Sequence, residues 1–181
     1  MNLGEIGWPV LPVIGWTKVQ RVYLTRSGTL AFTNIPQSGA HFMLIWSVRG
    51  TDASEQFMGI GANDDTGSNY HSQISTGTGS TPQATTSNNV APTGLRMGVV
   101  PPTGAAAGIY SFGTLICFFY SDPARYKRAT FQTHRTISLS SEFSEAGSWG
   151  WDSLAAITSI QFAVAAGSLD VGSVAELYIL P

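Results

Sequence analysis

Apolar residues along this chain recur at every second position and almost never with helical spacing. In residues 42–48, Phe42, Leu44, Trp46 and Val48 share one face, with His41, Met43, Ile45 and Ser47 on the other. The same period predicts strands at 19–24, 29–33, 42–48, 56–61, 70–75, 95–100, 109–121, 129–139, 157–165 and 173–180. The last two read as a terminal pair: Ile160, Phe162 and Val164 alternate, as do Ala175, Leu177 and Ile179. Gly167, Asp170 and Gly172 supply the turn between them. Residues 115–120 are apolar on both faces, which predicts a central strand covered on both sides, one side by a second subunit. No helical period carries caps at both ends, and residues 152–156 are expected to form at most one helical turn.

Two stretches break the pattern. Residues 76–89, rich in Gly, Ser, Thr and Asn with Pro82 and Gln83, predict a long exposed loop. Pro101-Pro102-Thr103-Gly104 predicts a second. Residues 1–17 read as an extended apolar arm, because Pro9 and Pro12 disfavour helix while Ile6, Trp8, Val10, Leu11, Val13, Ile14 and Trp16 carry a large apolar load. Such an arm either lies along its own domain or anchors on a partner. Residues 18–181 then form one domain, an all-β, jelly-roll-like antiparallel β-sandwich.

Composition narrows the function. Charged residues make up 11% of the 181, against a usual share of about 25%. With many small polar residues, that suits a β protein with long turns or a surface largely covered by partners. A net charge of −2 leaves no electrostatic footprint for nucleic acid. The start of the chain lacks the basic residues of a secretory signal, and the longest apolar stretch, 6–16, is too short to span a bilayer. Folding in a cytoplasm, with no membrane partner, is the expectation. The single cysteine, Cys117, sits in an apolar run and reads as core packing.

Candidate chemistry is sparse. Asp64 and Asp65, with Asn63 and Asn69, offer oxygen ligands, but not at the spacing of an EF-hand loop, so an Asx turn is the favoured reading. His41, His71 and His134 have no metal-ligand spacing, and no Gly-x-Ser-x-Gly elbow occurs. Neither a metal nor a cofactor is expected. Trp149 and Trp151 would face one side of a strand, where they either pack at a sandwich edge or form a sugar-stacking platform. Arg125, Lys127 and Arg128 around Tyr126 read as a solvated turn or a subunit salt-bridge site.

Several motifs resemble one family. Leu30-Ala31-Phe32-Thr33-Asn34-Ile35-Pro36-Gln37 followed by His41-Phe42-Met43-Leu44 is similar to its first hairpin, with Arg49 after that strand. Asn63-Asp64-Asp65-Thr66-Gly67-Ser68-Asn69-Tyr70 is similar to its turn, although that turn often has Gly where Asp64 stands. Tyr126-Lys127 fits as well. Ile157-Thr158-Ser159-Ile160-Gln161-Phe162 with Gly172-Ser173-Val174-Ala175-Glu176-Leu177-Tyr178 resembles its ending, where Gly usually follows Leu-Tyr and Ile179 stands here. The family comprises small jelly-roll virion structural proteins of tailed bacteriophages, of capsid-decoration, head-fibre or tail-tip type. The resemblance implies a non-enzymatic virion component, assembled in the host cytoplasm. It implies a homo-oligomer, expected to be a trimer, with other virion proteins and above all the major capsid protein as partners. A capsid decoration or cement protein is the favoured reading. The alternative is a tail-associated, glycan-recognising receptor-binding module.

Overall fold

The structure, a computed structural model, describes residues 15–78, 81–138 and 141–181. It is an all-β, jelly-roll-like sandwich of two antiparallel sheets. Among the described residues twelve strands follow in order: β1 (Thr17–Tyr23), β2 (Ala31–Phe32), β3 (His41–Val48), β4 (Gln56–Ala62), β5 (Tyr70–Thr78), β6 (Thr81–Val90), β7 (Val99–Val100), β8 (Ser111–Phe118), β9 (Lys127–Ser138), β10 (Ser141–Trp151), β11 (Ile160–Val164) and β12 (Val174–Leu180). A 3-10 turn, Pro92–Gly94, lies between β6 and β7. The large sheet has the order β1-β12-β3-β8-β9-β10-β5-β6, and the small one β2-β11-β4-β7.

Strict alternation lets the two faces of the large sheet be read as rows across its strands. One inner row runs Ile179, Phe42, Cys117, Ala129, Trp149, Ser72; the next runs Leu177, Leu44, Leu115, Phe131, Gly147, Ile74; a third runs Ala175, Trp46, Gly113, Thr133, Glu145, Thr76. Large rings stand beside small residues, which is how a flat sheet interdigitates with the one above it. Gly113 leaves room for the Trp46 indole: a Cβ there would lie 2.5 Å from Trp46 Cζ2 and 2.6 Å from Gln132 O. Gly147 does the same for Phe131, with Gln73 O only 2.2 Å from the same hypothetical atom. The small sheet closes this core. Phe162 meets Trp46 edge-on at 5.7 Å, and Trp149 Nε1 donates across the sandwich to Ile60 O at 3.0 Å.

The structure departs from the sequence reading in five places. The last two strands are not a pair: β11 lies in the small sheet against β2 and β4, and β12 in the large one between β1 and β3. Their alternation was right, but the turn 165–173 crosses between sheets. The expected loop 76–89 is strand wherever it is described: residues 76–78 end β5 and residues 81–89 belong to β6, paired with β5, since Thr and Ser suit strands as well as turns. Residues 141–151 form a full strand, β10. Residues 152–156 form no helical turn. The expected strand 95–100 shortens to Val99–Val100, because the 3-10 turn beside it packs on Gly59 and Gly61 of β4.

Of the apolar arm, Ile6, Trp8, Val10, Leu11, Val13 and Ile14 lie outside the described residues. Trp16 is exposed, one residue before the edge strand β1.

Candidate functional site

The outward face of the large sheet carries the exposed chemistry. Its rows run Val174, Ser47, Phe112, His134, Ser144; then Glu176, Ile45, Thr114, Gln132, Ala146, Ser75; then Tyr178, Met43, Ile116, Thr130, Ser148, Gln73; then Leu180, His41, Phe118, Arg128, Gly150, His71. The side predicted to be covered on strand 115–120 is therefore open within the described residues. Phe112 is 50% exposed, Phe118 40% and Ile45 37%. Two shallow grooves of about 240 and 300 Å³ meet at Ile45 and Phe112. One is bounded by Gln132, His134 and Ser144, the other by Arg21, Val174 and Glu176. No charged side chain enters the two central rows between Ile45 and Thr130. Neutral, aromatic and β-branched residues flanked by charges are the composition of an interface core with its rim.

The lower end of this face adds a strained aromatic. Phe119, at φ +52°, holds a conformation costly for a bulky side chain and is 40% exposed. His41 packs edge-on against both Phe118 (5.6 Å) and Phe119 (4.9 Å), and its Nδ1 accepts from Phe119 N–H at 3.2 Å. The Arg125 guanidinium lies 4.2 Å over the Phe119 ring and pairs with Asp122 at 3.0 Å.

The expected basic cluster is thereby resolved. Arg125 is paired at the surface, and Lys127 points inward. Lys127 is fully buried, and its Nζ donates to the carbonyls of Asp122, Arg125 and Leu154. Desolvation lowers its pKa from the usual lysine value. Arg128 Nη2 donates to Asp152 Oδ1 at 2.8 Å, and His71 Nε2 meets Asp152 Oδ2 at 2.6 Å. Partial burial works to raise the Asp152 pKa, but the hydrogen bonds and charges of His71 and Arg128 outweigh it and hold the carboxyl below its ordinary value. Each cation of the cluster is thus already matched, which is unlike a phosphate-binding patch.

The Asn63–Tyr70 turn serves the fold. Asn63 and Asp64 both adopt positive φ, +52° and +56°. Asn63 Oδ1 accepts from the amides of Thr158 (2.8 Å) and Ser159 (3.1 Å), and Asn63 Nδ2 donates to Ala156 O. Asp65 accepts from Gly67 N–H, Asn69 Nδ2 and Trp151 Nε1. Its carboxyl is held below the usual range, chiefly by the Trp151 bond and then by Asn69. The Asx-turn reading describes this geometry. Among the described residues no group of three or more His, Cys, Asp or Glu side chains is placed to hold a metal.

For Trp149 and Trp151 the packing alternative holds, and the sugar-platform alternative is corrected. They do face the same side, but that side is the core: each is 2% exposed, and Trp151 lies parallel to Tyr70 at 6.3 Å. Neither ring offers a face to a sugar. Burial drives the Tyr70 phenol up to about 12, and its oxygen bridges Ala62 N–H with the Ala62 and Asp65 carbonyls. Cys117 is buried, and desolvation pushes its thiol far above the usual range, so it is no nucleophile at neutral pH. His134 stacks obliquely on Phe112 at 5.3 Å.

Sequence reasoning missed the inward Lys127, the Arg128–Asp152–His71 triad and the exposure of Ile45 and Phe112. The last had a legible signal, since Ile45 and Phe112 stand opposite in phase to Trp46 and Leu115. Among the described residues no helix is long and apolar enough to cross a membrane. A scan against protein-family models finds no match, and neither a curated protein nor a solved structure matches the chain.

Proposed function

We propose that this chain is a structural protein of a phage virion, a capsid decoration or cement protein displayed on the particle surface as a homo-oligomer, expected to be a trimer. The observation that carries the reading is the open, uncharged outer face of β3 and β8, where Phe112, Ile45 and Phe118 stand exposed. A face of this kind is built to be covered by another chain. The resemblance of the hairpin, turn and terminal motifs to phage jelly-roll proteins supplies the virion context.

Magnitudes favour two contacts working together. Covering the exposed parts of three such side chains contributes roughly 1 kcal/mol each. Association costs about 4–15 kcal/mol in lost freedom. Burying four large side chains of the segment 6–16 contributes roughly 6–12 kcal/mol gross, so the arm has to share the attachment. The first test is to label intact particles of the source phage with a gold-tagged antibody and image them by electron microscopy. Gold over the head is expected. Gold confined to the tail tip would replace decoration with the receptor-binding alternative, and absence of gold would overturn a displayed virion role. Deleting residues 1–16 is expected to leave a folded domain that no longer joins the particle.

A further inference from the structure

The outer face holds a further depression, chemically unlike the apolar grooves. It lies at the far side of the sheet, over β10, with β9 on one flank and β5 and β6 on the other. Its volume is about 250 Å³. The floor is low because the outward positions of β10 here are only Ser148 and Gly150, while the neighbouring strands raise Arg128, His71, Gln73 and Thr86 beside them. Asn88 completes the rim.

Two sets of groups line this trough. Arg128, Asp152 and His71 are locked to one another, with Arg128 Nη1 also donating to the carbonyls of Lys127 and Trp151. Gln73, Thr86, Asn88 and Ser148 are different. Among the described residues their side chains have no hydrogen-bond partner. Two amides and two hydroxyls offer donors and acceptors side by side. That mixture selects the ligand. An anion would have to compete with Asp152 for Arg128 and would meet no unmatched cation. An apolar molecule would cover the amides without satisfying them, which costs free energy. A polyhydroxylated, uncharged molecule both donates and accepts at each hydroxyl and suffers neither penalty.

We propose that this trough binds a neutral saccharide, with Gln73, Thr86, Asn88 and Ser148 reading its hydroxyls and the Arg128–Asp152–His71 triad fixing the wall. The volume is below the roughly 300–1,000 Å³ of pockets for drug-sized ligands, so it seats one or two sugar units of a longer chain. The site does not depend on the virion reading, since a saccharide-binding face serves a decoration protein, a tail module or a protein of another particle equally.

The test is a titration of the full, ¹⁵N-labelled chain with glucose, maltotriose, chitotriose, methyl mannoside and rhamnose at millimolar concentrations. Glucose 6-phosphate is the charged comparison. Saturable amide shifts at His71, Gln73, Arg128, Ser148 and Gly150 are expected with at least one neutral sugar. Gln73→Ala and Ser148→Val, both on the solvent face, should each weaken that binding roughly tenfold, the loss of about one satisfied hydrogen bond. Their thermal midpoints should match that of the wild type. Absence of saturable shifts at these amides for every neutral sugar overturns the proposal. So does binding that survives both variants, or tighter binding of glucose 6-phosphate than of glucose, which would mark an anion site instead.

Discussion

Asp65 ties its own turn to β10 through one carboxylate. Its oxygens take the Gly67 amide at 2.8 Å, the Asn69 side chain at 2.9 Å and the Trp151 indole N–H at 2.8 Å. The last bond is the costly one to lose, because Trp151 is buried and its N–H would be left without an acceptor. Asp65→Ala should therefore destabilise the fold by about 1–3 kcal/mol. The pH dependence has a definite sign. The folded-state pKa lies below the unfolded value of 3.8, so this stabilisation is present above 3.8 and is lost as pH falls through the lower, folded value. Urea unfolding should show a constant gap between wild type and Asp65→Ala near neutrality. The gap should narrow only below pH 3.8. A gap that already narrows near neutrality would mean that the carboxylate is not what holds the indole.

At the scale of strands, packing hangs on where side chains are missing. Gly113 sits between Trp46 and the β9 backbone, and its hypothetical Cβ is 2.6 Å from Gln132 O, an atom that cannot swing away. Gly113→Ala should cost about 1–3 kcal/mol through overpacking and backbone shift, read as a lower urea midpoint with an unchanged slope. An unchanged midpoint would mean that β8 and β9 separate easily. The same glycines explain what the sequence concealed. Strands with a clean apolar inner face, such as Phe42–Leu44–Trp46–Val48, were legible at once. In β10 the inner positions read Phe143, Glu145, Gly147, Trp149, so the apolar period is broken twice. Glu145 is tolerated there because Arg96 pairs with it at 2.6 Å and Thr76 and Thr133 donate to it, all from elsewhere in the chain. Such partners are invisible to a local pattern. Strand β6 was hidden for another reason: its Thr, Ser and Asn residues satisfy turn and strand chemistry equally, and only pairing with β5 decides between them. The candidate site was less legible still. Trp149 and Trp151 were found as a pair, but which face of a strand is the core depends on the opposing sheet, and the triad joins residues 71, 128 and 152.

For the whole molecule, the decisive fact is the contrast between the two faces of the large sheet. The inner face is covered by the small sheet, and the outer face presents Ile45 and Phe112 to solvent within the described residues. Both lie on inner strands of the sheet, not on β1 or β6, its outermost strands among the described residues, so the open surface is a face and not an edge. Edge-to-edge sheet extension is also disfavoured, by Pro82 in β6 and by the register shift between Lys18 and Gln20 in β1. Association should therefore run face-on through β3 and β8. Sedimentation of the full chain at micromolar concentration should show an oligomer, and the double variant Ile45→Ser, Phe112→Ser should shift it to monomer. Its thermal midpoint, measured where both proteins are monomeric, should change little, because neither side chain enters the core. Persistence of the oligomer in the double variant would relocate self-association to the segment 6–16. A monomeric wild type would leave the exposed face to a different partner protein, which would then have to be present for the face to be covered.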